Sequence, residues 1–364
     1  MKRLIIIGLS LFFINSTQAQ ITADSITKLD SKIQESSGLL YLNGNLFTHN
    51  DSGNEPAIYE VDTTNGSIIR KVIIKNASNK DWEDITCDEN NIYIGDFGNN
   101  QGSRTDLKIY YFPKSELLNS LIDSIAAETI EFNYKDQTDF TPSNFTTIYD
   151  AEAFVALGDS LYVFTKNWGD FRTNIYSCPK VKGDYALSRI GSANTMGMVT
   201  GATYNPKLDM IVLCGYSFTG SFIAKFSNIA SPPFTNIDMD RYNLLVKQSI
   251  QIEGIAYAND NKYFLTSEAF QGTESLLSKL ETDKLLSISS LEQESFSVFP
   301  NPFKESFNLS DNSFKSSQVI DLKGNVLLQS EINELKLSTL QAGVYFLKVM
   351  KDGKTFITKI IKKE

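Results

Sequence analysis

One five-residue pattern recurs along most of this chain and restricts its fold more than any other feature. It reads Ser37-Gly-Leu-Leu-Tyr41, Glu83-Asp-Ile-Thr-Cys87, Glu152-Ala-Phe-Val-Ala156, Thr200-Gly-Ala-Thr-Tyr204 and Glu253-Gly-Ile-Ala-Tyr257. The leading residues lie 46, 69, 48 and 53 positions apart. A second apolar run follows each at a near-constant offset: Asn45-Leu-Phe-Thr48, Asn91-Ile-Tyr-Ile94, Ser160-Leu-Tyr-Val-Phe164, Met210-Ile-Val-Leu213 and Lys262-Tyr-Phe-Leu265. A third begins Ile58-Tyr, Ile109-Tyr, Ile175-Tyr, Ile223-Ala and Leu277-Ser. Fourth strands are expected at 67–75, 128–134, 185–190 and 242–247. The fifth unit runs out of chain, and the N-terminal stretch 26–33 is placed to complete it. Four-stranded units of this period, closed by a strand from the opposite terminus, predict an all-β fold, a five-bladed β-propeller. Closure removes two exposed sheet edges. The long second spacing contains an insert, 113–127, that reads as a short helix on a loop; six blades is the alternative.

Equivalent positions on the innermost strands of a propeller form a ring about its axis. Ser37, Glu83, Glu152, Thr200 and Glu253 hold that position. Three carboxylates in one partly desolvated volume repel each other unless they take up protons or a cation. An all-oxygen donor set suits Ca²⁺, whose six to eight ligands water completes. The alternative is that these side chains tie the inner strands together through hydrogen bonds to backbone.

The ends of the second strands supply a further cluster at the tunnel mouth. Asp96, Asn99, Lys166, Asn167 and Glu268 are candidate ligand-binding residues, with Tyr216 beside them. Asp51 is the candidate catalytic base toward a metal-held electrophile. Asp51-Ser-Gly53 and Asp96-Phe-Gly98 also read as plain turn chemistry. Trp82 and Trp168 can stack on a ligand or pack between blades.

Composition excludes several classes. A formal charge of −9 disfavours nucleic acid as a partner. The single histidine, His49, rules out multi-histidine zinc sites. Cys87, Cys178 and Cys214 allow at most one bridge and read as buried thiols. No P-loop, G-x-S-x-G or G-x-G-x-x-G motif is present.

The two ends carry an address. Lys2 and Arg3 precede an apolar run, 4–14, and a polar stretch ending in Ala19, so 1–19 reads as a secretory signal peptide. No segment is long and apolar enough to serve as a transmembrane anchor. A shift in composition near Ser287-Ile-Ser-Ser290 marks a linker, 287–294, between a propeller at 20–286 and a small immunoglobulin-like β-sandwich at 295–364. That last module has short period-two runs punctuated by Lys323-Gly-Asn325 and Lys351-Asp-Gly-Lys354.

Val298-Phe-Pro-Asn-Pro302, Val319-Ile-Asp-Leu-Lys-Gly324, Leu340-Gln-Ala-Gly-Val-Tyr-Phe-Leu-Lys348 and Lys359-Ile-Ile-Lys362 occur in this order. Together they resemble the type A C-terminal sorting domain of the type IX secretion system of Bacteroidetes. That resemblance implies export across the outer membrane, with the secretion machinery as partner, and a secreted or surface-attached product. The order Ser, Glu, Glu, Thr, Glu around the ring resembles the calcium-activated nucleotidases (apyrases), with Glu35-Ser-Ser-Gly-Leu39 and Asn45-Leu-Phe-Thr-His-Asn-Asp-Ser-Gly53 running parallel. It implies one axial Ca²⁺ on Ser37, Glu83, Glu152, Thr200 and Glu253. Two departures stand out. The family's Asp-Asp-Arg-Thr-Gly turn is His49-Asn-Asp-Ser-Gly53 here, and its Gly-Lys-Glu-Trp is replaced by Asp96-Phe-Gly-Asn-Asn100. Phosphate-clasping cations are missing at both, although Lys80, Arg104, Lys166 and Arg172 lie on nearby loops. Two functions follow: a Ca²⁺-binding propeller that recognises an extracellular ligand, or a Ca²⁺-dependent hydrolase of phosphate esters.

Overall fold

The computed structural model describes residues 20–363 apart from several short stretches, the longest being 286–297. The expected signal peptide, 1–19, and linker, 287–294, lie outside the described residues. The chain divides into two units, Met1–Leu286 and Ser287–Glu364.

The first unit is β-propeller-like. Its described residues form five sheets, each starting from one copy of the repeat. The innermost strands are Ser36–Leu42, Trp82–Cys87, Asp150–Leu157, Met198–Asn205 and Ile252–Ala258. They pack against one another in a closed cycle, the last returning to the first. Each pairs antiparallel with the strand that follows it, and that strand with the next. Burial falls from the centre outward. Asp150–Leu157 is buried along nearly its whole length, whereas the outer strand Glu128–Tyr134 alternates buried and exposed. A strand covered on both faces needs apolar residues throughout, and one covered on a single face needs them at every second position. The apolar cores lie between sheets. Phe47, Ile58 and Val72 of the first sheet meet Trp82, Ile85 and Ile94 of the second.

The N-terminus closes the circle, with different bounds from those expected. Asp24–Lys28, not 26–33, pairs antiparallel with Leu276–Glu281 in the fifth sheet. The chain then turns through a 3₁₀ segment, Ser31–Ile33, where Asp30 accepts from the Lys32 N–H at 2.9 Å. Ahead of Asp24–Lys28, Gln20–Thr22 runs parallel to the outer strand of the fourth sheet, Asp238–Leu245. The stretch 185–190 is also corrected. Gly183–Leu187 lies parallel to Glu128–Tyr134 in the second sheet, and Arg189–Ala193 completes the third. The chain crosses between sheets there, which a local pattern cannot register. The insert contains the short helix Lys114–Leu118, and its Ser124–Ile125 adds to the edge of the first sheet.

The second unit has a three-stranded sheet of Val298–Phe299, Ser306–Leu309 and Glu334–Lys336. Its other sheet holds Val326–Ser330, Ser316–Ile320, Gly343–Lys351 and Lys354–Lys362. Phe303, Phe307, Val319, Leu335, Leu347 and Ile360 form its core.

Candidate functional site

Each inner strand breaks register with its neighbour at one repeat position. The breaks fall between Ser36 and Leu39, Trp82 and Asp84, Ala151 and Ala153, Val199 and Gly201, and Ile252 and Gly254. Ser37, Glu83, Glu152, Thr200 and Glu253 are therefore bulged residues in all five sheets. A bulge leaves one residue out of the ladder and re-aims its side chain. Five copies of that device act on the five ring positions.

Ser37, Glu83, Glu152 and Glu253 line one cavity of about 70 Å³, together with Glu35, Asp51, Lys166, Tyr216 and Glu268. Thr200 does not line it; its hydroxyl donates to the Ile252 carbonyl at 2.5 Å. The Ser37 hydroxyl likewise donates to the Glu83 carbonyl at 2.6 Å. Both hydroxyls thus tie one inner strand to the next. Glu152 accepts from Lys166 Nζ at 3.1 Å. The lysine also lies 5.2 Å from the Trp168 ring centroid and 5.4 Å from that of Tyr216. Burial works against its charge, but Glu152 and its neighbours outweigh that and hold the ammonium well above its ordinary pKa.

The other carboxylates have less compensation. Burial pushes Asp51 up to about 6, against the Ser52 N–H and Lys166. It pushes Glu268 to about 7 and Glu253 to about 8, with neighbouring acids adding to the shift. Glu83 is raised well above the usual range by burial and then by Glu152 and Asp51. One of its oxygens, Oε1, is buried with no hydrogen-bond partner.

Other expected mouth residues sit behind the cavity wall. Asp96 is fully buried, pairs with Arg104 at 2.9 Å and accepts from the Asp81 N–H at 3.1 Å. Asn99 accepts from the Arg104 N–H, and its own N–H donates to Asp150. Asn167 caps its own turn, accepting from the N–H groups of Gly169 and Asp170. Of the four nearby cations, only Lys166 lines the cavity: Lys80 pairs with Asp106, Arg104 with Asp96, and Arg172 donates to Ser192. Trp82 packs between sheets, its indole N–H on the Ser78 carbonyl at 3.0 Å. His49 meets it edge-on in the same interior, and burial lowers its pKa to about 4. Trp168 is half-buried, bonded to Asp150 and packed on the exposed Phe145.

Sequence reasoning missed Asp81 and Asp150. They stand two residues before ring residues Glu83 and Glu152, as Glu35 stands before Ser37 and Gln251 before Glu253. That second polar position of the repeat was the available signal. Asp81 matters most, because its carboxylate lies with those of Asp51 and Glu83, one oxygen of each within 4.8 Å of the others. Burial pushes Asp81 up to about 7, with Asp51 and Asp150 adding to the effect. Among the described residues no histidine or thiol joins this trio, so its donors are oxygen alone and suit a hard cation.

Residues 297–363 match the family described as "Secretion system C-terminal sorting domain". No curated protein matches the chain. Solved structures similar to it include an exo-beta-1,3-galactanase from Clostridium thermocellum, 12% identical with a TM-score of 0.44, covering 94% of this chain and 86% of that one. A glucose dehydrogenase is 7% identical, with a TM-score of 0.42 over 70% of this chain and 98% of that one. A calcium-binding regucalcin from Agrobacterium tumefaciens is 10% identical, with a TM-score of 0.38 over 72% and 95%. At such values no ligand or activity passes from these proteins to this one.

Proposed function

We propose that this chain is exported through its C-terminal sorting domain, 295–364. In this reading residues 20–286 form a five-bladed β-propeller whose hub cavity binds Ca²⁺ and, through it, an anionic extracellular ligand. Residues 1–19 act as the export signal, 287–294 as the linker, and the type IX secretion machinery is the partner of the tail. The sorting-domain match supports the export route. Among the described residues no helix is long and apolar enough to cross a membrane.

One observation carries the binding reading. Six carboxylates, of Glu35, Asp51, Glu83, Glu152, Glu253 and Glu268, line a cavity to which a single lysine brings positive charge. Gathering like charges away from water is costly unless a cation or protons offset them. Ser37 and Thr200 brace the inner strands, while Glu83, Glu152 and Glu253 offer oxygens toward the axis. Ca²⁺ bound there neutralises the cavity and leaves coordination positions for oxygens of a carboxylated or phosphorylated ligand. Lys166 and Glu268 flank that approach.

The hydrolase reading keeps one observation of its own. Asp51, pushed up to about 6, falls in the range of a general base. Hydrolysis would need further cations for phosphate, and Lys166 is already held by Glu152.

Calorimetric titration of the purified protein with Ca²⁺, paired with thermal melts in Ca²⁺ and in chelator, tests the proposal. Ca²⁺ at about 100 times its Kd should stabilise the protein by about 2.7 kcal/mol. An absence of both heat and melting shift would remove the cation from the hub.

A further inference from the structure

We propose that the cation sits off the propeller axis, between the first and second sheets, on the carboxylates of Asp51, Asp81 and Glu83. The inference rests on the cation reading above and narrows it to one place.

The three residues come from two segments that a buried side chain locks together. Asp51 follows the strand Asn45–Asn50 of the first sheet, and Asp81 and Glu83 flank Trp82 at the start of the second sheet's inner strand. Asn79 joins the two. Its Nδ2 donates to the carbonyls of Asn50 and Asp51, at 3.0 and 2.8 Å, and its Oδ1 accepts from the Trp82 N–H at 3.1 Å. Trp82 anchors its indole in the interior. Glu83 lines the cavity, and Asp81 stands beside it, one carboxylate oxygen of each lying within 4.8 Å of the other and of one from Asp51.

The pocket so formed is built tightly. Gly98 lies against it: a Cβ at that position would fall 2.0 Å from Glu83 Oε1 and 2.5 Å from Asp81 Oδ2. The N–H groups of Phe97 and Gly98 both donate to the Asp81 carbonyl, at 3.1 and 3.2 Å, and hold the glycine in place. Glu83 is 3% exposed, and its Oε1 has no hydrogen-bond partner. A buried carboxylate oxygen without a donor costs free energy that a bound cation recovers.

Charge balance separates this trio from two neighbouring acids. Glu152 already has Lys166, and Asp96 has Arg104. Among the described residues, none of the three forms an ion pair. Three carboxylates supply at least three oxygens, half of the smallest Ca²⁺ shell, and an oxygen ligand from solution can complete it.

Calorimetric titration with Ca²⁺ alone on wild type, Asp81→Asn and Glu253→Gln locates the ion. Asp81→Asn should weaken Ca²⁺ binding by about tenfold or more, and by a larger factor than Glu253→Gln. Melting curves in chelator check that both variants fold. Asn79→Ala should also weaken binding while removing no ligand, a readout of positioning. If wild type binds Ca²⁺ and Asp81→Asn loses no more affinity than Glu253→Gln, the off-axis placement is overturned and the hub reading stands. If wild type shows no binding, both fall.

Discussion

Asp84 and Glu83 are neighbours on one inner strand, yet they define two unlike regions of the hub. Asp84 is fully buried and accepts from the N–H groups of Ile85, Phe154 and Ala202, at 2.8, 3.0 and 3.3 Å. Its carboxylate thereby links the inner strands of the second, third and fourth sheets. Glu83 faces the mouth, where its buried oxygen meets other acids and no donor. Burial with donors serves the fold. Burial without donors makes a region that is costly until something binds.

The contrast has a sign that can be measured. Asp84→Ala leaves three buried N–H groups without an acceptor and should cost about 3 kcal/mol or more, with or without Ca²⁺. Urea unfolding gives that value directly, and a loss below about 1 kcal/mol would dissolve the distinction between the two regions.

At the mouth the expected sign is opposite. Asp81 has its pKa raised from 3.8 to about 7, so the folded, metal-free protein binds its proton more tightly than the unfolded chain does. The resulting stability is fully present below pH 3.8 and is lost as pH rises through about 7. Asp81→Asn should therefore stabilise the metal-free protein at pH 8 by about 2 kcal/mol and flatten this part of its pH dependence. A destabilised Asp81→Asn protein in chelator would put Asp81 with Asp84 among the structural acids.

The smallest effect sharpens the boundary between the regions. Ser37 and Thr200 belong to the ring, yet their hydroxyls are spent on the carbonyls of Glu83 and Ile252. Ser37→Ala should cost about 1 kcal/mol and change Ca²⁺ affinity by less than threefold. A larger loss of affinity would make the hydroxyl a ligand rather than a brace.

Much of the fold was legible because it is written in local signals. Period-two runs such as Asn91-Ile-Tyr-Ile94 mark strands, and their near-constant spacing marks the sheets. The missing fifth outer strand pointed to the N-terminus, and Asp24–Lys28 fills that place. The candidate site was legible only in part. The end of a second strand locates Asp96 and Asn99 along the chain, but not the direction they take beyond it; Arg104 draws Asp96 inward. Asp81 escaped notice because it precedes the strand pattern, although the same polar position recurs before each of Ser37, Glu83, Glu152 and Glu253.

The set of strands, their fivefold recurrence, the acidic character of the ring and the sorting signature at the C-terminus can all be read along the chain. These depend on residue type and spacing, which chain order preserves. Which acids meet, and which are already satisfied, is settled by packing in three dimensions. A bulge turns one side chain out of its ladder, an asparagine clamps two distant segments, and a glycine lets a loop close over two carboxylates. Such outcomes depend on distances of a few ångströms between residues far apart in the chain, and electrostatic cost changes steeply over that range.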